Sequence, residues 1–426
     1  MKFTAWLPRS TRGGTEIAAL AGHGARRRVL QAALAAVAAL AIGLPAAPPA
    51  HAATPFDPDA VVTWSAPMLS AAPSANNRIN NQTLRQIAHV SLGGSRVRVK
   101  LSNRWGTAPV EIGGAQVALR AGVDAIVPGS SRPLTFSGSP TFSLPAGAEL
   151  LSDWVNLSVP DLADLAVDLY LPGDTGTVNT GSPLTVFSGA MQTNYVSAAG
   201  NFVGAASFPT ASTRLSWSFM SAIDVIAAGK RGAVVAFGDS ITQGLRSTND
   251  TNRRWPDVLA QRLVPTMRMG VANVGISGNR VAQGGGSTNP SALARMDSDV
   301  LVQTGATHVI LLLGINDISG GLSAQDVIAA LQQVVIRART QQLKIFVGTL
   351  TPFANATDAR EAIRMAVNDW IRTTPETDGV VDFDAAIRDP ANPRRMLAIY
   401  DSGDTLHPND AGYAAMGNAI DLSLFQ

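Results

Sequence analysis

The sequence predicts two folded domains of different class: an all-β sandwich of jelly-roll type over residues 54–228 and an α/β domain over residues 229–426. The first part alternates short β-type segments with turns rich in Gly, Pro, Ser and Asn, and it shows no long amphipathic helix pattern. After Gly232 the pattern changes to apolar strands that alternate with helices, which is typical of a parallel sheet. The length of 426 residues fits two or three domains of roughly 150 residues each.

Residues 1–52 are expected to be an export signal rather than part of the fold. A basic cluster, Arg26–Arg28, precedes the apolar segment Val29–Leu44, whose 16 residues fall short of the roughly 20 that span a bilayer. The small residues at the ends of Ala50–Ala52 form a cleavage pattern that places the mature start at Ala53. The mature protein is therefore expected in the periplasm or outside the cell, without a membrane anchor. Sec and twin-arginine export both stay open, and an uncleaved anchor is the alternative.

The composition excludes several classes of function. Residues 1–52 hold six basic residues and one acidic residue, so the mature chain has 27 basic and 30 acidic residues and no long basic run. That balance argues against a nucleic-acid partner. The lack of cysteine excludes disulfides and thiolate chemistry, and three scattered histidines in the mature chain do not form a zinc site. We therefore expect no metal and no cofactor, while the oligomeric state stays open.

The first domain is expected to be antiparallel. Arg96–Leu101 alternates basic and apolar residues, as a strand with one solvated face does. The other strands that illustrate the pattern are Trp154–Val159, Leu165–Leu171 and Leu215–Val225. Short strands at close spacing favour two packed antiparallel sheets.

The second domain is expected to contain five parallel strands with helices on both faces. The predicted strands are Ala233–Phe237, Val271–Val274, His308–Leu313, Ile345–Leu350 and Val380–Phe383. The predicted helices are one that opens at Trp255 and Pro256, followed by Ala324–Gln341, Ala359–Arg372 and Asn409–Leu422. Ligands of such sheets bind at the C-terminal ends of the strands, so polar residues there are the candidates for function.

Ser240, Asp404 and His407 form the first candidate constellation. Ser240 follows the first strand within Gly-Asp-Ser, at a strand-to-helix turn that exposes its hydroxyl at the sheet edge. A serine nucleophile needs a neutral imidazole as base, and the imidazole needs an acceptor that orients it. His407 lies three residues after Asp404 in a loop before the last helix, so the two side chains can meet. His89 and His308 lie in less suitable places.

Gly278 and Asn316 follow the second and third predicted strands. A tetrahedral intermediate needs several hydrogen-bond donors aimed at its oxyanion. The backbone N–H groups of Ser240 and Gly278 and the side-chain amide of Asn316 are three candidates, and glycine permits close backbone approach.

Together these pieces resemble the SGNH, or GDSL, hydrolase family over about residues 232–423. The four matching motifs are Gly-Asp-Ser, Asn-x-Gly-x-Ser-Gly, Gly-x-Asn-Asp and Asp-x-x-His-Pro. The resemblance implies a flavodoxin-like three-layer α/β/α fold, Ser240 as nucleophile, His407 and Asp404 as the rest of the triad, and Ser240, Gly278 and Asn316 as oxyanion donors. Thr405 stands where the family often has Gly, which concerns loop geometry.

The resemblance also implies a carboxylic ester hydrolase. Because secreted members with an added β-sandwich often resemble carbohydrate esterases, an acetylated polysaccharide is the expected substrate. A short-chain acyl, aryl or lipid esterase is the first alternative, and an O-acyltransferase or a sugar-binding protein with a non-hydrolytic domain is the second. Four tryptophans of the first domain are candidates for a sugar platform, although core packing is their more ordinary role: Trp64, Trp105, Trp154 and Trp217.

Four further aspartates stand near the candidate residues or at strand ends. We interpret Asp239 and Asp317 as acceptors that hold loops. Asp382 and Asp384 end the fifth predicted strand, where a role in a turn is more ordinary than a role in the site.

Overall fold

The structure is a computed structural model that describes residues 57–74, 76–176 and 184–426. The expected signal segment, residues 1–52, lies outside the described residues. Among the helices that the structure describes, none has both the length and the apolar character that a membrane span requires.

Before Gly232, the described chain forms strands joined by turns. The strands are β1 (Ala60–Ser65), β2 (Leu69–Ala71), β3 (Gln82–His89), β4 (Gly94–Ser102), β5 (Val110–Ile112), β6 (Gly114–Gly122), β7 (Ala125–Ile126), β8 (Arg132–Pro133), β9 (Phe142–Leu144), β10 (Glu149–Leu151), β11 (Val155–Val159), β12 (Asp164–Leu171), β13 (Leu184–Ser188), β14 (Asn194–Ala199), β15 (Thr210–Arg214), β16 (Ser216–Ser218) and β17 (Met220–Ile226).

These strands form two main antiparallel sheets. One has the order β1-β17-β4-β10 with β11 also paired to β4, and the other has the order β15-β14-β3-β12-β6-β7 with β8 paired to β6. The alternation in β4 follows the prediction, because Val97, Val99 and Leu101 are buried while the intervening basic residues are half-buried. Apolar side chains of both sheets share one core. The expected antiparallel, strand-rich first part is confirmed.

The prediction of one strand over Leu215–Val225 is wrong. Phe219 has φ +61°, outside the extended region, and it separates β16 from β17. The two strands belong to different sheets, since β16 pairs with β13 and β17 pairs with β1 and β4. Hydrogen bonds from the Phe219 N–H to Thr185 O and from the Ser102 N–H to Phe219 O hold this break. The alternating sequence carries no sign of it.

From Gly232 onward, strands and helices alternate. The strands are β18 (Gly232–Gly238), β19 (Met269–Asn273), β20 (Ala306–Leu312), β21 (Lys344–Gly348), β22 (Gly379–Val381), β23 (Arg388–Asp389) and β24 (Asn392–Met396). The helices are α1 (Ser240–Gln243), α2 (Trp255–Met267), α3 (Ala292–Met296), α4 (Ile315–Ser319), α5 (Ala324–Thr340), α6 (Asp358–Thr373), α7 (Phe383–Ile387) and α8 (Asp410–Ala419), with single helical turns at Gly286–Thr288, Asp297–Leu301 and Leu422–Phe425.

Five of these strands form a parallel sheet in the order β19-β18-β20-β21-β22. In chain order this is 2-1-3-4-5, the order of flavodoxin-like sheets. All residues of β18 are buried, as expected of an interior strand of a sheet covered on both faces. The five-stranded α/β prediction is confirmed.

Two details near the fifth strand differ from the predictions. The predicted strand Val380–Phe383 ends earlier, because Asp382 accepts a hydrogen bond from the Ala385 N–H and thereby begins α7 at Phe383. The antiparallel pair β23 and β24 after α7 was not predicted, since it is too short to show a period. The last helix also ends at Ala419, earlier than expected.

The antiparallel sheets pack directly against the parallel sheet. The Ser91 hydroxyl of the first part accepts a hydrogen bond from the Val271 N–H at 2.8 Å and donates to Val271 O at 3.2 Å. Ser91 therefore pairs with the outer edge of strand β19, which has no neighbouring strand of the parallel sheet on that side. The Val62 N–H of β1 donates to Thr304 O at 2.8 Å. Ala233 and Ala272 of the parallel sheet belong to the same apolar core as the antiparallel strands. The residue limits of the two domains, 54–228 and 229–426, stay a prediction.

Candidate active site

Ser240 lies just after the C-terminal end of β18, an interior strand of the parallel sheet. β18 ends at Gly238, and Asp239 caps α1 by accepting a hydrogen bond from the Ile241 N–H at 2.9 Å. A Cβ on Gly238 would come within 2.0 Å of the Thr242 hydroxyl, so only glycine fits this turn. The strand order reverses between β18 and β20, which is where such sheets bind their ligands.

His407 and Asp404 reach Ser240 from the loop before α8. His407 Nε2 lies 2.9 Å from Ser240 Oγ, and His407 Nδ1 lies 2.8 Å from Asp404 Oδ2. A neutral imidazole protonated at Nδ1 satisfies both contacts, with Nε2 accepting from the serine hydroxyl. The three side chains therefore form one hydrogen-bonded chain of the kind that activates a serine nucleophile.

The Asp404 carboxylate is held in its charged form. Partial burial acts to raise its pKa, but hydrogen bonds from His407 and from the Leu406 N–H outweigh it and keep the pKa well below its usual range. Arg246 adds a contact of 3.2 Å between its Nε and Asp404 Oδ2. Asp404 can therefore orient His407 and stabilise its positive charge without taking the proton itself.

Thr405 adopts a backbone conformation that suits glycine. Its φ is +64°, in the left-handed region that β-branched residues rarely enter. Two hydrogen bonds hold it there: its N–H donates to Asp401 Oδ1 at 3.1 Å, and its hydroxyl donates to Asp404 O at 2.6 Å. This is the position where the resemblance expected glycine, and the loop keeps the corresponding conformation.

The Ser277–Gly278 peptide is held from its carbonyl side. Asn289 Nδ2 donates to Ser277 O at 3.1 Å, and a turn closes from the Asn279 N–H to Ile276 O at 3.0 Å. Gly278 occupies the third position of this turn with φ +69°, which favours glycine. Because a trans peptide directs its N–H opposite to its carbonyl, the Gly278 N–H points away from Asn289. No hydrogen bond from this N–H to another described residue is present.

Asn316 lies at the start of α4, directly after β20. Its Nδ2 donates to Asn279 O at 3.0 Å and approaches Asp239 Oδ2 at 3.4 Å. Both of its amide hydrogens therefore have acceptors within the protein. A role as oxyanion donor requires the longer contact, to Asp239, to be exchanged for the oxyanion.

Part of the chain matches a known protein family. Residues 236–415 match the model of the GDSL-like Lipase/Acylhydrolase family, and all the predicted site residues lie inside the match. These residues form a domain of the GDSL-like lipase/acylhydrolase family. The chain is therefore an ester hydrolase. No curated protein matches it in sequence.

Three solved structures are similar to the chain. The aryl esterase of M. smegmatis is 18% identical, covers 44% of this chain and 95% of its own, and has a TM-score of 0.37. A carbohydrate acetylesterase from Sinorhizobium meliloti is 15% identical, with 44% and 96% covered and a TM-score of 0.37. An acetylxylan esterase from Geobacillus stearothermophilus is 22% identical, with 46% and 95% covered and a TM-score of 0.36.

Asp239 and Asp317 hold the loops of the GDSL-like domain. Asp317 accepts hydrogen bonds from the N–H groups of Val281 and Ala282, just after residues 275–280, which we call the oxyanion loop because they include the candidate oxyanion donor Gly278. Burial raises the pKa of Asp239 to about 7, and the charge of Asp317 adds to it against the hydrogen bond from Ile241. Burial also raises the pKa of Asp317. These contacts support the interpretation of both side chains as acceptors that hold loops.

The other two aspartates of the prediction lie in ion pairs. Asp382 contacts Arg372 at 2.9 Å, and Asp384 contacts Arg364 and Arg372 at 2.7 Å each. Burial acts to raise the pKa of Asp382, but the hydrogen bond from Arg372 lowers it to about 2. These contacts join α6 to the β22–α7 turn, and they support the structural interpretation.

The four tryptophans do not form an exposed platform. Trp64 and Trp217 are buried and pack edge to face, with ring centroids 4.8 Å apart. Trp105 and Trp154 are half-buried, and the guanidinium groups of Arg104 and Arg98 lie over their rings at 5.1 and 4.6 Å. Core packing accounts for two of them, and arginine contacts cover part of the others.

Sequence reasoning missed four residues that shape this site. Gln243 accepts from the Ser277 N–H, and Asn289 donates to Ser277 O. Arg246 donates to Asp404, and Arg295 donates to Asn279 Oδ1. Gln243 and Arg246 are close to Ser240 in the chain, which was the only available signal. Nothing in the pattern around Asn289 or Arg295 marks a polar side chain that reaches another loop. Among the described residues, no group of three or more His, Cys, Asp or Glu is placed to hold a metal ion.

Proposed function

We propose that this chain is an exported serine esterase in which Ser240, His407 and Asp404 are the catalytic triad. The observation that carries the proposal is the hydrogen-bonded chain from Ser240 Oγ through His407 to Asp404. As Ser240 Oγ bonds to the ester carbonyl carbon, its proton passes to His407 Nε2. The carbonyl oxygen takes up the displaced electron pair and becomes an oxyanion.

The oxyanion is stabilised by the N–H groups of Ser240 and Gly278 and by the Asn316 amide. The intermediate then collapses: the bond to the alcohol oxygen breaks, and His407 returns its proton to the departing alcohol. Water attacks the acyl-enzyme and gives a proton to His407, and the acid leaves as Ser240 recovers that proton. Asp404 stabilises the imidazolium in both halves of the cycle.

The substrate class that we propose is a carbohydrate ester with a small acyl group, above all acetyl. The support is the antiparallel part of the chain, because secreted family members with an added β-sandwich often resemble carbohydrate esterases. This part also contacts residues near Ser240, through Gly189 to Gln243 and through Thr193 to Asp250. Export through the signal segment 1–52 would bring the enzyme to such polymers.

The test is acetate release from acetylated polysaccharides by the purified protein, with a p-nitrophenyl ester series of increasing acyl length. Ser240→Ala should abolish both activities, while Ser423→Ala, a serine on the exposed C-terminal turn, should abolish neither. Retention of full activity by Ser240→Ala would overturn the triad. Activity on nitrophenyl esters alone would overturn the carbohydrate substrate but keep the esterase.

Two further measurements bear on the alternatives. Product analysis with and without an acceptor sugar distinguishes hydrolysis from acyl transfer, because transfer yields a new sugar ester in place of free acetate. The N-terminal mass of the protein recovered from cell fractions tests export, and a mature start at Ala53 is expected. Unprocessed protein held in the membrane would contradict it.

A further inference from the structure

Gln243 connects the antiparallel part of the chain to the oxyanion loop. It is the last residue of α1, three positions after Ser240, and its side chain is buried. Its Nε2 donates to Gly189 O at 3.1 Å, and its Oε1 accepts from the Ser277 N–H at 2.6 Å. One carboxamide therefore joins a turn of the antiparallel sheets to the residue that precedes Gly278.

The turn that carries Gly189 is itself fixed against the loop that follows α1. Asp250 in that loop accepts hydrogen bonds from Gln192 Nε2 at 2.6 Å, from the Thr193 N–H at 2.5 Å and from the Thr193 hydroxyl at 2.6 Å. The Asp250 N–H donates to Met191 O at 3.0 Å. Residues 189–193, which we call the brace loop, thus contact the GDSL-like domain on both sides of Leu245–Asn249.

Met191 and Asp250 both lie in the left-handed region, with φ of +51° and +64°. A non-glycine residue keeps such a conformation only where its surroundings determine it. The hydrogen bonds between the brace loop and Asp250 hold both residues in this conformation. The contact between the two loops is therefore well defined.

Two glycines approach Gln243 closely. A Cβ on Gly189 would lie 2.4 Å from Gln243 Nε2, and a Cβ on Gly275 would lie 2.2 Å from Gln243 N. Both distances are shorter than real Cβ contacts allow, so glycine at both positions permits the close approach. Gly189 of the brace loop therefore packs against the Gln243 side chain, and Gly275 packs against the Gln243 backbone.

We propose that Gln243 is a positioning residue, through which the antiparallel part of the chain sets the place of the Gly278 N–H. This proposal rests on the proposed function, since Gly278 matters there as an oxyanion donor. Ser277 is held in both of its peptide groups: Gln243 accepts from the Ser277 N–H of the Ile276–Ser277 peptide, and Asn289 donates to Ser277 O of the peptide that carries the Gly278 N–H. Without Gln243, the Ile276–Ser277 peptide loses this anchor, and its rotation shifts the following peptide; donor geometry at the oxyanion is sensitive to shifts of about 1 Å.

The antiparallel part is then a component of the catalytic centre rather than an appended module. Its role does not require it to touch the substrate. A separated GDSL-like domain would lose the acceptor Gly189 O and with it one anchor of the oxyanion loop.

The test compares Gln243→Met with Gln303→Met in the full chain. Methionine has the length of glutamine but makes neither hydrogen bond, and a cavity of about 30 Å³ beside Gln243 accommodates the larger sulfur. Gln303 is a matched control: it is buried, and its Nε2 donates to Ser65 Oγ at 3.0 Å across the same junction, away from the oxyanion loop.

We expect Gln243→Met to lower kcat on the order of tenfold or more with KM changed less than about twofold, because the loss falls on the oxyanion. Gln243→Glu, which keeps an acceptor for the Ser277 N–H, should recover part of kcat. Gln303→Met should lower thermal stability but retain kcat. Hydrogen exchange of residues 275–280 should quicken in Gln243→Met and stay unchanged in Gln303→Met.

Two results would overturn the proposal. One is a Gln243→Met enzyme with wild-type kcat and wild-type exchange at residues 275–280. The other is an equal loss of kcat in both methionine variants, which would mean a general loss of structure. If the wild-type protein hydrolyses none of the esters, the proposed function fails, while the exchange measurement still decides whether Gln243 holds the loop.

Discussion

Arg295 offers a sharp test of how the site is held together. It lies in α3, its side chain is buried, and it donates to Val274 O at 2.7 Å, Gly238 O at 2.9 Å and Asn279 Oδ1 at 3.0 Å. It also pairs with Asp299 at 2.9 Å. One guanidinium thus ties the end of β18, the segment after β19 and the oxyanion loop together, and Arg295→Met removes all four contacts.

The size of the effect follows from what the substitution leaves behind. Gly238 O keeps a second donor, the Ile276 N–H at 3.1 Å. Val274 O and Asn279 Oδ1 lose the donor from Arg295. Each buried group left unsatisfied lowers the free energy of unfolding by about 1–3 kcal/mol. Removing one partner of a buried ion pair costs about 3–5 kcal/mol, and the contributions overlap. We therefore expect the free energy of unfolding to fall by about 3–5 kcal/mol.

Chemical unfolding of the wild type and the variant measures this change. Arg395→Met is the control, because Arg395 pairs with Asp389 at 3.3 Å from an exposed position. An exposed pair contributes little to stability, so the control should stay near the wild type. A loss below about 1 kcal/mol in Arg295→Met would refute the reasoning, since it would mean that the buried acceptors find other donors.

Three further predictions follow. Burial, with Lys344 nearby, lowers the pKa of His308 from 6.5 to about 4. Because the unfolded chain binds the proton at a higher pH than the folded chain, the free energy of unfolding should fall as the pH drops from 6.5 to 4. Unfolding measured at several pH values tests this, and the contribution of His308 to the pH dependence should vanish in His308→Phe. Gly278→Ala should cost about 1–2 kcal/mol from its positive φ alone, whereas Gly275→Ala should cost more, because its Cβ would overlap the Gln243 backbone. Asn316→Ala should lower kcat about 10²–10³-fold in a steady-state ester assay.

Each of these has a contradicting outcome. An unchanged pH dependence in His308→Phe would assign that dependence to other groups. Equal unfolding free energies for the two alanine variants would mean that the backbone near Gly275 shifts freely. Wild-type kcat in Asn316→Ala would show that its contacts with Asn279 and Asp239 are not exchanged for the oxyanion.

Much of the fold could be predicted because its signals are local. The apolar strands after Gly232 and the amphipathic helices between them have clear periods, and the alternation in Arg96–Leu101 survives as the buried face of β4. Predictions failed where a tertiary contact overrides the hydrophobic periodicity of the sequence. Phe219 breaks an alternating segment because two sheets share it, and Asp382 ends a strand because its side chain caps a helix.

The residues of the candidate site likewise fall into those that the sequence could predict and those that it could not. Ser240, Gly278, Asn316, Asp404 and His407 stand out because each belongs to a short motif at a strand end. Gln243, Asn289 and Arg295 belong to no such motif, since their role is to hold backbone groups of other loops, and any long polar side chain in the right place can do that.

The sequence by itself determined most of the succession of elements and the candidate residues of the site, because hydrophobic period, turn chemistry and motif spacing are properties of neighbouring residues. The tertiary structure decided which distant groups meet. It brings His407 to Ser240 across 167 positions of the chain, and it brings Gly189 of the antiparallel sheets to Gln243. Such contacts depend on how whole sheets pack, and packing is a property of complementary surfaces that no single segment encodes.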